Sequence, residues 1–233
     1  MDNKTVLILG SSSDIGVQTA RIFLEKQWKV IGHYNKSKKK IADLHKKYGA
    51  QIKLFKLDLS NPKKISIFAK QKLVPIKKID SFISLTGYIK STDFDHINYK
   101  SFLNHINVNY YSNLIFIKHI YKKMIYNKWG RILLSSSIGT SFGGGDKTFL
   151  YSLSKFNNEF IPKIFRNKYA KYILYNVLKI GVTNTKIHRK ISNKNLKKRI
   201  KLIPTKRMAT TEEVSNNFFS CFRRKYFNTW ANY

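Results

Sequence analysis

Cysteine, proline, glycine and acidic residues are all scarce in this chain. One cysteine, Cys221, excludes an internal disulfide framework and a cysteine-rich zinc site. Four prolines and 11 glycines exclude a collagen-like or proline-rich fibre. No apolar run approaches the ~18 residues of a membrane span. The opening Met1-Asp2-Asn3-Lys4 leads directly into an apolar stretch that ends at Gly10 without a cleavage pattern. No signal peptide is read there, and a cytoplasmic location is expected. The six histidines lack metal-ligand spacing, so no metal is expected. What is present suits one folded domain. The chain has 233 residues, 42% hydrophobic and 14% aromatic, enough for a core and too apolar for disorder.

Acids number 12 against 45 lysines and arginines, which gives a net charge of +33. Such a charge suits a polyanion partner. Only eight of those 45 are arginines, the residue that nucleic-acid interfaces use for bidentate contacts. Lysine, asparagine, isoleucine and tyrosine, all with A/T-rich codons, are abundant together, and the lysines spread along the whole chain. The charge is therefore read as codon usage that still favours anionic ligands such as phosphates. Nucleic-acid binding is the minor alternative; neither a nucleic acid nor a membrane is the expected partner.

The hydrophobic pattern predicts strands over 5–10, 29–34, 52–57, 79–85, from 131 and over 173–180. Helices are predicted over 15–26, 38–48, from Pro62, over 98–126 and over 151–169, the last in spite of Pro162. This β-α alternation predicts an α/β single domain over 1–233, a doubly wound, Rossmann-like parallel sheet. The basic stretch 186–206 is the expected excursion, a lid over the substrate.

The first strand enters Gly10-Ser11-Ser12-Ser13-Asp14-Ile15-Gly16 and then a helix. Such a turn aims free amides and the positive helix end at an anion. An ordinary turn capped by Asp14 is the simpler alternative. The second strand ends His33-Tyr34-Asn35-Lys36-Ser37-Lys38. An acid there would hydrogen-bond a ribose diol and repel a 2′-phosphate. None is present and two lysines are, so NADP(H) is favoured, with NAD(H) also admissible. Tyr151 and Lys155 are one helical turn apart. A nearby ammonium lowers a phenol's pKa and makes it a usable acid or base. Ser135-Ser136-Ser137 ends the fifth strand, where ligands bind in such sheets.

Taken in order, these motifs resemble the short-chain dehydrogenase/reductases over residues 5 to about 214. Gly10 to Gly16 resembles the family's glycine turn, with Ser12, Ser13 and Ile15 beside the cofactor. Asp58 and Leu59 follow the third strand, where the family binds adenine. Ser84-Leu85-Thr86-Gly87 stands for N-N-A-G, Asn109 for the helix asparagine, and Tyr151 to Lys155 for Y-x-x-x-K. Gly181-Val182-Thr183-Asn184-Thr185 resembles the loop at the nicotinamide, with Val182 and Thr185 as cofactor contacts. Residues 207–214 resemble R-x-A-x-P-E-E-V.

The resemblance implies an oxidoreductase that moves a hydride between NADP(H) and a carbonyl or secondary alcohol. Tyr151 would supply the proton, Ser136 orient the carbonyl, and Lys155 lower the tyrosine pKa and hold the nicotinamide ribose. Asn109 would hold a water in a relay to Lys155. Ser136 lies 15 residues before Tyr151, longer than the usual spacing, and Ser137 lies 14 before it. Ser136 is preferred because Ser136-Ser137-Ile138-Gly139 fits S-x-x-G. The lysines of 186–206 suit an acidic or carrier-bound substrate, such as a 3-oxoacyl thioester, or an intermediate of surface-polysaccharide synthesis.

Several positions depart from the pattern. Asp14 replaces the middle glycine and would repel a pyrophosphate unless turned away. Ser84-Leu85 lacks the bracing amide. From Cys221 the chain leaves the family's A-S-x-x-x-x-x-x-T-G-Q continuation. Read one base out of frame with A/T-rich codons, Cys221, Phe222, Arg223, Arg224, Trp230 and Ala231 can yield that pattern. The expectation is a tail over 220–233 that is aberrant through a frameshift, and a sheet lacking its last strand. The homo-oligomer usual in the family is then doubtful, and an inactive, cofactor-binding remnant is the alternative function.

Overall fold

The computed structural model describes residues 4–187 and 196–223. Six strands, β1 (Thr5–Leu9), β2 (Lys29–Tyr34), β3 (Ile52–Lys56), β4 (Ser81–Ser84), β5 (Gly130–Ser137) and β6 (Ile173–Ile180), make one sheet. Their order is β3-β2-β1-β4-β5-β6, and every pairing is parallel. The expected doubly wound, Rossmann-like sheet is the observed one. Among the described residues β6 is an edge strand, paired to β5 alone.

The helices are α1 (Asp14–Glu25), α2 (Lys39–Tyr48), α3 (Pro62–Phe68), α4 (Tyr99–Ile106), α5 (Ser112–Tyr126), α6 (Phe149–Phe156), α7 (Lys163–Arg166), α8 (Leu196–Leu202) and α9 (Thr211–Arg223). None among the described residues is long and apolar enough to cross a membrane. Strand β1 is buried at every position, and four of its five residues are apolar, because both faces of the sheet are covered. Val6 and Ile8 pack with Phe23 of α1, Ile41 of α2 and Phe218 of α9. Leu7 and Leu9, pointing oppositely, pack with Ile65 of α3 and Phe116 and Ile120 of α5. Strand β1 therefore pairs with β2 on one side and β4 on the other, and the winding reverses between β1 and β4. Ligands bind at the carboxyl ends of strands at such a reversal.

Two helix predictions are corrected. The span 151–169 is not one helix. After α6 the chain makes a 3-10 turn over Asn157–Glu159, and α7 restarts beyond Pro162. Proline lacks the amide hydrogen and its ring collides with a carbonyl of the preceding turn, which kinks or breaks a helix, and here the helix breaks. The span 98–126 is helical throughout but widens to a π-turn over Asn107–Tyr111 between α4 and α5.

Helix α9 takes up the first residues of the tail expected to be aberrant. Phe222 is buried against Phe23 and Trp28, with ring centroids 5.2 and 6.1 Å apart. The rest of that tail, 224–233, and part of the expected lid, 188–195, lie outside the described residues. Phe218 is fully buried between α1 and the sheet. Replacing it with alanine should lower the unfolding free energy by about 3–5 kcal/mol, measurable as a fall in urea midpoint.

Candidate active site

The β1–α1 turn is built by glycine at two places. Gly10 has φ +77°, and a Cβ there would sit 2.8 Å from the Leu85 carbonyl oxygen. A Cβ on Gly16 would collide with the Gly10 carbonyl oxygen. Ser13 caps α1: its hydroxyl accepts from Gly16 N at 3.0 Å and donates to Gly10 O at 2.8 Å. Ser12, Ile15 and Gly16 belong to the same turn, which sets the first amides of α1 just beyond the carboxyl end of β1, at the reversal between β1 and β4. A dinucleotide's phosphates fit such a cradle.

Asp14, whose charge opposes a phosphate, has both carboxylate oxygens engaged. One carboxylate oxygen accepts from the Lys186 amide at 2.9 Å and the other pairs with Lys40 of α2. Partial burial alone would raise its pKa; the Lys186 amide and the Lys40 ammonium outweigh burial, and the carboxyl is held below its ordinary value.

A histidine joins the ends of β1, β2 and β3. His33 Nδ1 accepts from Gly10 N at 3.1 Å, and Nε2 meets the Leu57 carbonyl at 2.8 Å. Accepting at Nδ1 requires the neutral ring with its hydrogen on Nε2. Burial pushes the imidazole down to about 4, against smaller upward pulls from Leu57 O and Asp58. Asp58 spends one oxygen on the amide and hydroxyl of Ser60, at 2.9 and 2.8 Å. Those bonds, with Lys64 and Lys36 nearby, hold its pKa low against burial. Leu59 is buried beneath it, while Asn35 and Lys36 are exposed beyond β2.

Across the reversal, Tyr151 and Lys155 project from α6 toward the end of β5. Strand alternation decides which serines meet them. Ser135 and Ser137 share one face of β5, and Ser136 has the other. Lys155 Nζ donates to Ser135 Oγ at 2.8 Å and to Thr86 O at 3.0 Å. The Ser137 hydroxyl neighbours the Tyr151 phenol. Ser136, preferred from the motif, points elsewhere: its hydroxyl donates to Glu159 Oε1 at 2.6 Å and to Lys155 O at 3.3 Å. Glu159 also receives Thr140 Oγ1 at 2.7 Å and pairs with Lys179 at 3.0 Å. The serine beside the tyrosine is therefore Ser137, and Ser136 braces the loop.

Burial dominates the charges here. It pushes Tyr151 up to about 12, partly countered by Ser137, and pushes Lys155 down to about 7.

Asn109 departs from its expected role as well. Its side chain holds both backbone groups of Tyr88, at 2.7 and 2.9 Å, and reaches Ser154 Oγ at 2.8 Å. Its carbonyl takes two amides, from Asn113 at 3.0 Å and Asn158 at 2.9 Å. Both lone pairs of that carbonyl are engaged by protein groups, so Asn109 braces the segment at Tyr88 and α6. Ser84 reaches Thr86 Oγ1 at 3.1 Å, and Gly87 lies exposed at the groove. Val182 and Thr185 sit on the loop after β6, which a bridge between Thr183 and Ala209 anchors. Lys40, His33 and Glu159 carry no motif signal, because each is identified only by a partner distant in sequence. No metal-binding group of side chains occurs among the described residues.

A glycine turn at the sheet's reversal, with a Tyr-Lys pair across the groove, defines a dinucleotide-type oxidoreductase site. The sequence profile of the short chain dehydrogenase family matches residues 4–196, and the chain belongs to that family of oxidoreductases. It is 28% identical over 221 residues to the 3-oxoacyl-[acyl-carrier-protein] reductase FabG of Buchnera aphidicola subsp. Schizaphis graminum, covering 93% of this chain and 88% of that protein. It is 30% identical over 193 residues to L-rhamnose 1-dehydrogenase (NADP(+)) of Thermoplasma acidophilum, covering 80% and 75%. The solved structure of ElxO with NADP bound superposes with a TM-score of 0.81 at 22% identity, covering 96% of this chain and 93% of that one.

His33 makes the cofactor end sensitive to acid. Its folded pKa, about 4, lies below the ordinary 6.5, so below 6.5 the unfolded chain binds a proton that the folded chain refuses. Stability contributed by the neutral ring is full above 6.5 and is lost as pH falls toward 4. Between pH 7 and pH 5 the loss should be about 2 kcal/mol, and His33→Asn should remove that share of the pH dependence in urea unfolding.

Proposed function

We propose that the protein is an NADP(H)-preferring reductase of ketones, or dehydrogenase of the corresponding secondary alcohols, with Tyr151 as the general acid. The observation that carries this reading is the grouping of Tyr151, Ser137 and Lys155 at the carboxyl end of β5, facing the glycine turn.

The cofactor, when bound, supplies or accepts the hydride at the substrate carbon. The turn from Gly10 to Gly16 would hold its phosphates, and Asp58 and Leu59 would flank its adenine. Asn35 and Lys36 would receive the 2′-phosphate, and Gly87, Val182 and Thr185 would line its nicotinamide end. Ser84 supports this rim through Thr86. A phenol held near 12 keeps its proton at neutral pH, which suits the acid needed for carbonyl reduction. Tyr151 gives that proton to the carbonyl oxygen while Ser137 donates a second hydrogen bond and orients it. Lys155, protonated below about 7, steadies the phenolate left behind. Asn109 holds the segment at Tyr88 against α6, and so sets the depth of Lys155 without touching substrate.

The lysine-rich surface favours an acidic substrate. FabG of Buchnera, by its name, acts on a 3-oxoacyl group borne by acyl carrier protein, and the Thermoplasma relative on L-rhamnose. Between these, a carrier-bound 3-oxoacyl thioester suits the +33 charge better, because acidic carriers are steered by positive surfaces.

A panel of 3-oxoacyl thioesters and keto sugars with NADPH tests the reading. Tyr151→Phe should lower turnover by about 10²-fold or more with NADPH binding intact. Ser137→Ala should lower turnover well below the level of Ser136→Ala, whose main loss is stability; the reverse order would return the orienting role to Ser136. NADPH binding without reduction of any carbonyl would support the inactive-remnant reading.

The cofactor preference has its own measurement. NADPH should bind about ten- to a hundredfold tighter than NADH, the worth of one charge-assisted phosphate contact. Asn35→Asp should narrow or invert the ratio. Equal affinities in the unmodified chain would refute the preference.

A further inference from the structure

Asp14 stands at the first position of the helix whose N-terminus faces the groove. What it holds there comes from the opposite side of the site. The loop 181–187 leaves β6 and is fixed at its base by two backbone bonds to Ala209, at 3.0 Å from Ala209 N to Val182 O and 2.9 Å from Asn184 N to Ala209 O. Its far end is fixed by Asp14, which accepts the Lys186 amide at 2.9 Å. Between these anchors Ile187 faces Gly87: a Cβ built on that glycine would lie 3.4 Å from Ile187 Cδ1. The loop therefore spans the groove from the β4 end to the α1 N-terminus. Lys40 closes the other side of the same carboxylate.

A carboxylate that binds a loop amide and a lysine ammonium at a helix N-terminus offers those donors what a phosphate oxygen would offer them. We propose that Asp14 is a tethered competitor of the dinucleotide: its carboxylate latches the 181–187 loop across the groove, and a diphosphate must displace it from Lys186 and Lys40 to bind. The inference rests on the cofactor reading above. The latch makes the binding-competent form a minor one, and apparent affinity falls in proportion to its population. A ligand without a diphosphate has nothing to exchange for the carboxylate, so the latch also selects for the whole dinucleotide over its nucleoside pieces.

Titration calorimetry with NADPH on the full chain tests this, comparing the unmodified protein, Asp14→Gly and Asp14→Asn. A latch closed in about nine molecules of ten predicts about tenfold tighter binding by Asp14→Gly. Asp14→Asn, which keeps an acceptor oxygen but no charge for Lys40, should fall between. Without nucleotide, Asp14→Gly should speed amide hydrogen exchange across 181–187 and leave exchange in β1 and β4 unchanged. Faster loop exchange with unchanged or weaker NADPH binding would make Asp14 a loop support only, and would overturn the proposal. Unchanged exchange together with unchanged binding would overturn it as well. Failure of all three proteins to bind NADPH or NADH would instead refute the cofactor reading on which it rests.

Discussion

Asn109, Asn113 and Asn158 interlock at the junction of α5, α6 and the sheet, all of them buried. Asn113 donates to Asn158 Oδ1 at 3.0 Å, and both donate to the Asn109 carbonyl. Asn158 also reaches the Ser135 carbonyl at 3.3 Å. Each of these bonds is buried, where losing one would cost about 1–3 kcal/mol, although Asn113 Oδ1 itself has no partner. The set fixes α6 relative to β5. Lys155 can then lie buried between Thr86 and Ser135, and Tyr151 beside Ser137. A helix held only by apolar contacts could slide by a fraction of a turn; one held by directional amides cannot.

The scarcity of acid shapes the rest. With 12 carboxylates for 45 cations, the acids at structural corners carry several bonds each. Glu159 gathers Ser136, Thr140 and Lys179 under the loop after β5. Asp14 gathers Lys40 and Lys186 at the groove. Glu213, at the start of α9, receives Arg207 at 2.6 Å and the Thr210 amide at 2.8 Å. Cations outnumber acids so heavily that much of their charge is met by solvent and by passing anions. Inside the site the balance differs, since burial and not charge sets the proton affinities of Tyr151 and Lys155.

The sheet is legible because β1 carries the apolar run Val6-Leu7-Ile8-Leu9, β5 carries Ile132-Leu133-Leu134, and the helices between them are amphipathic. The glycine turn and the Tyr-Lys pair were legible because each lies within one short stretch of chain. Two expectations meet the same obstacle. Motif shape favours Ser136, although the pleat places alternate serines of Ser135-Ser136-Ser137 on opposite faces. Periodicity favours one helix over 151–169, although Pro162 interrupts it. In both, a local steric rule overrides a pattern. The Asp14–Lys186 and His33–Gly10 contacts were beyond reach for a different reason: their partners lie 172 and 23 residues apart, and only the closed sheet brings them together.

The π-turn over Asn107–Tyr111 gives the site an unusual dependence on chain length. A π-turn accommodates one residue more than an α-turn, and its ladder steps to i+5. Deleting one residue within 107–111 would restore a regular helix and leave Phe116 and Ile120 of α5 still directed at the core. The Asn109 carbonyl, however, would return to the ordinary ladder and give up Asn113 and Asn158. Such a deletion would spare the fold while unfastening α6, separating in one step the part of the molecule that carries stability from the part that aligns Tyr151.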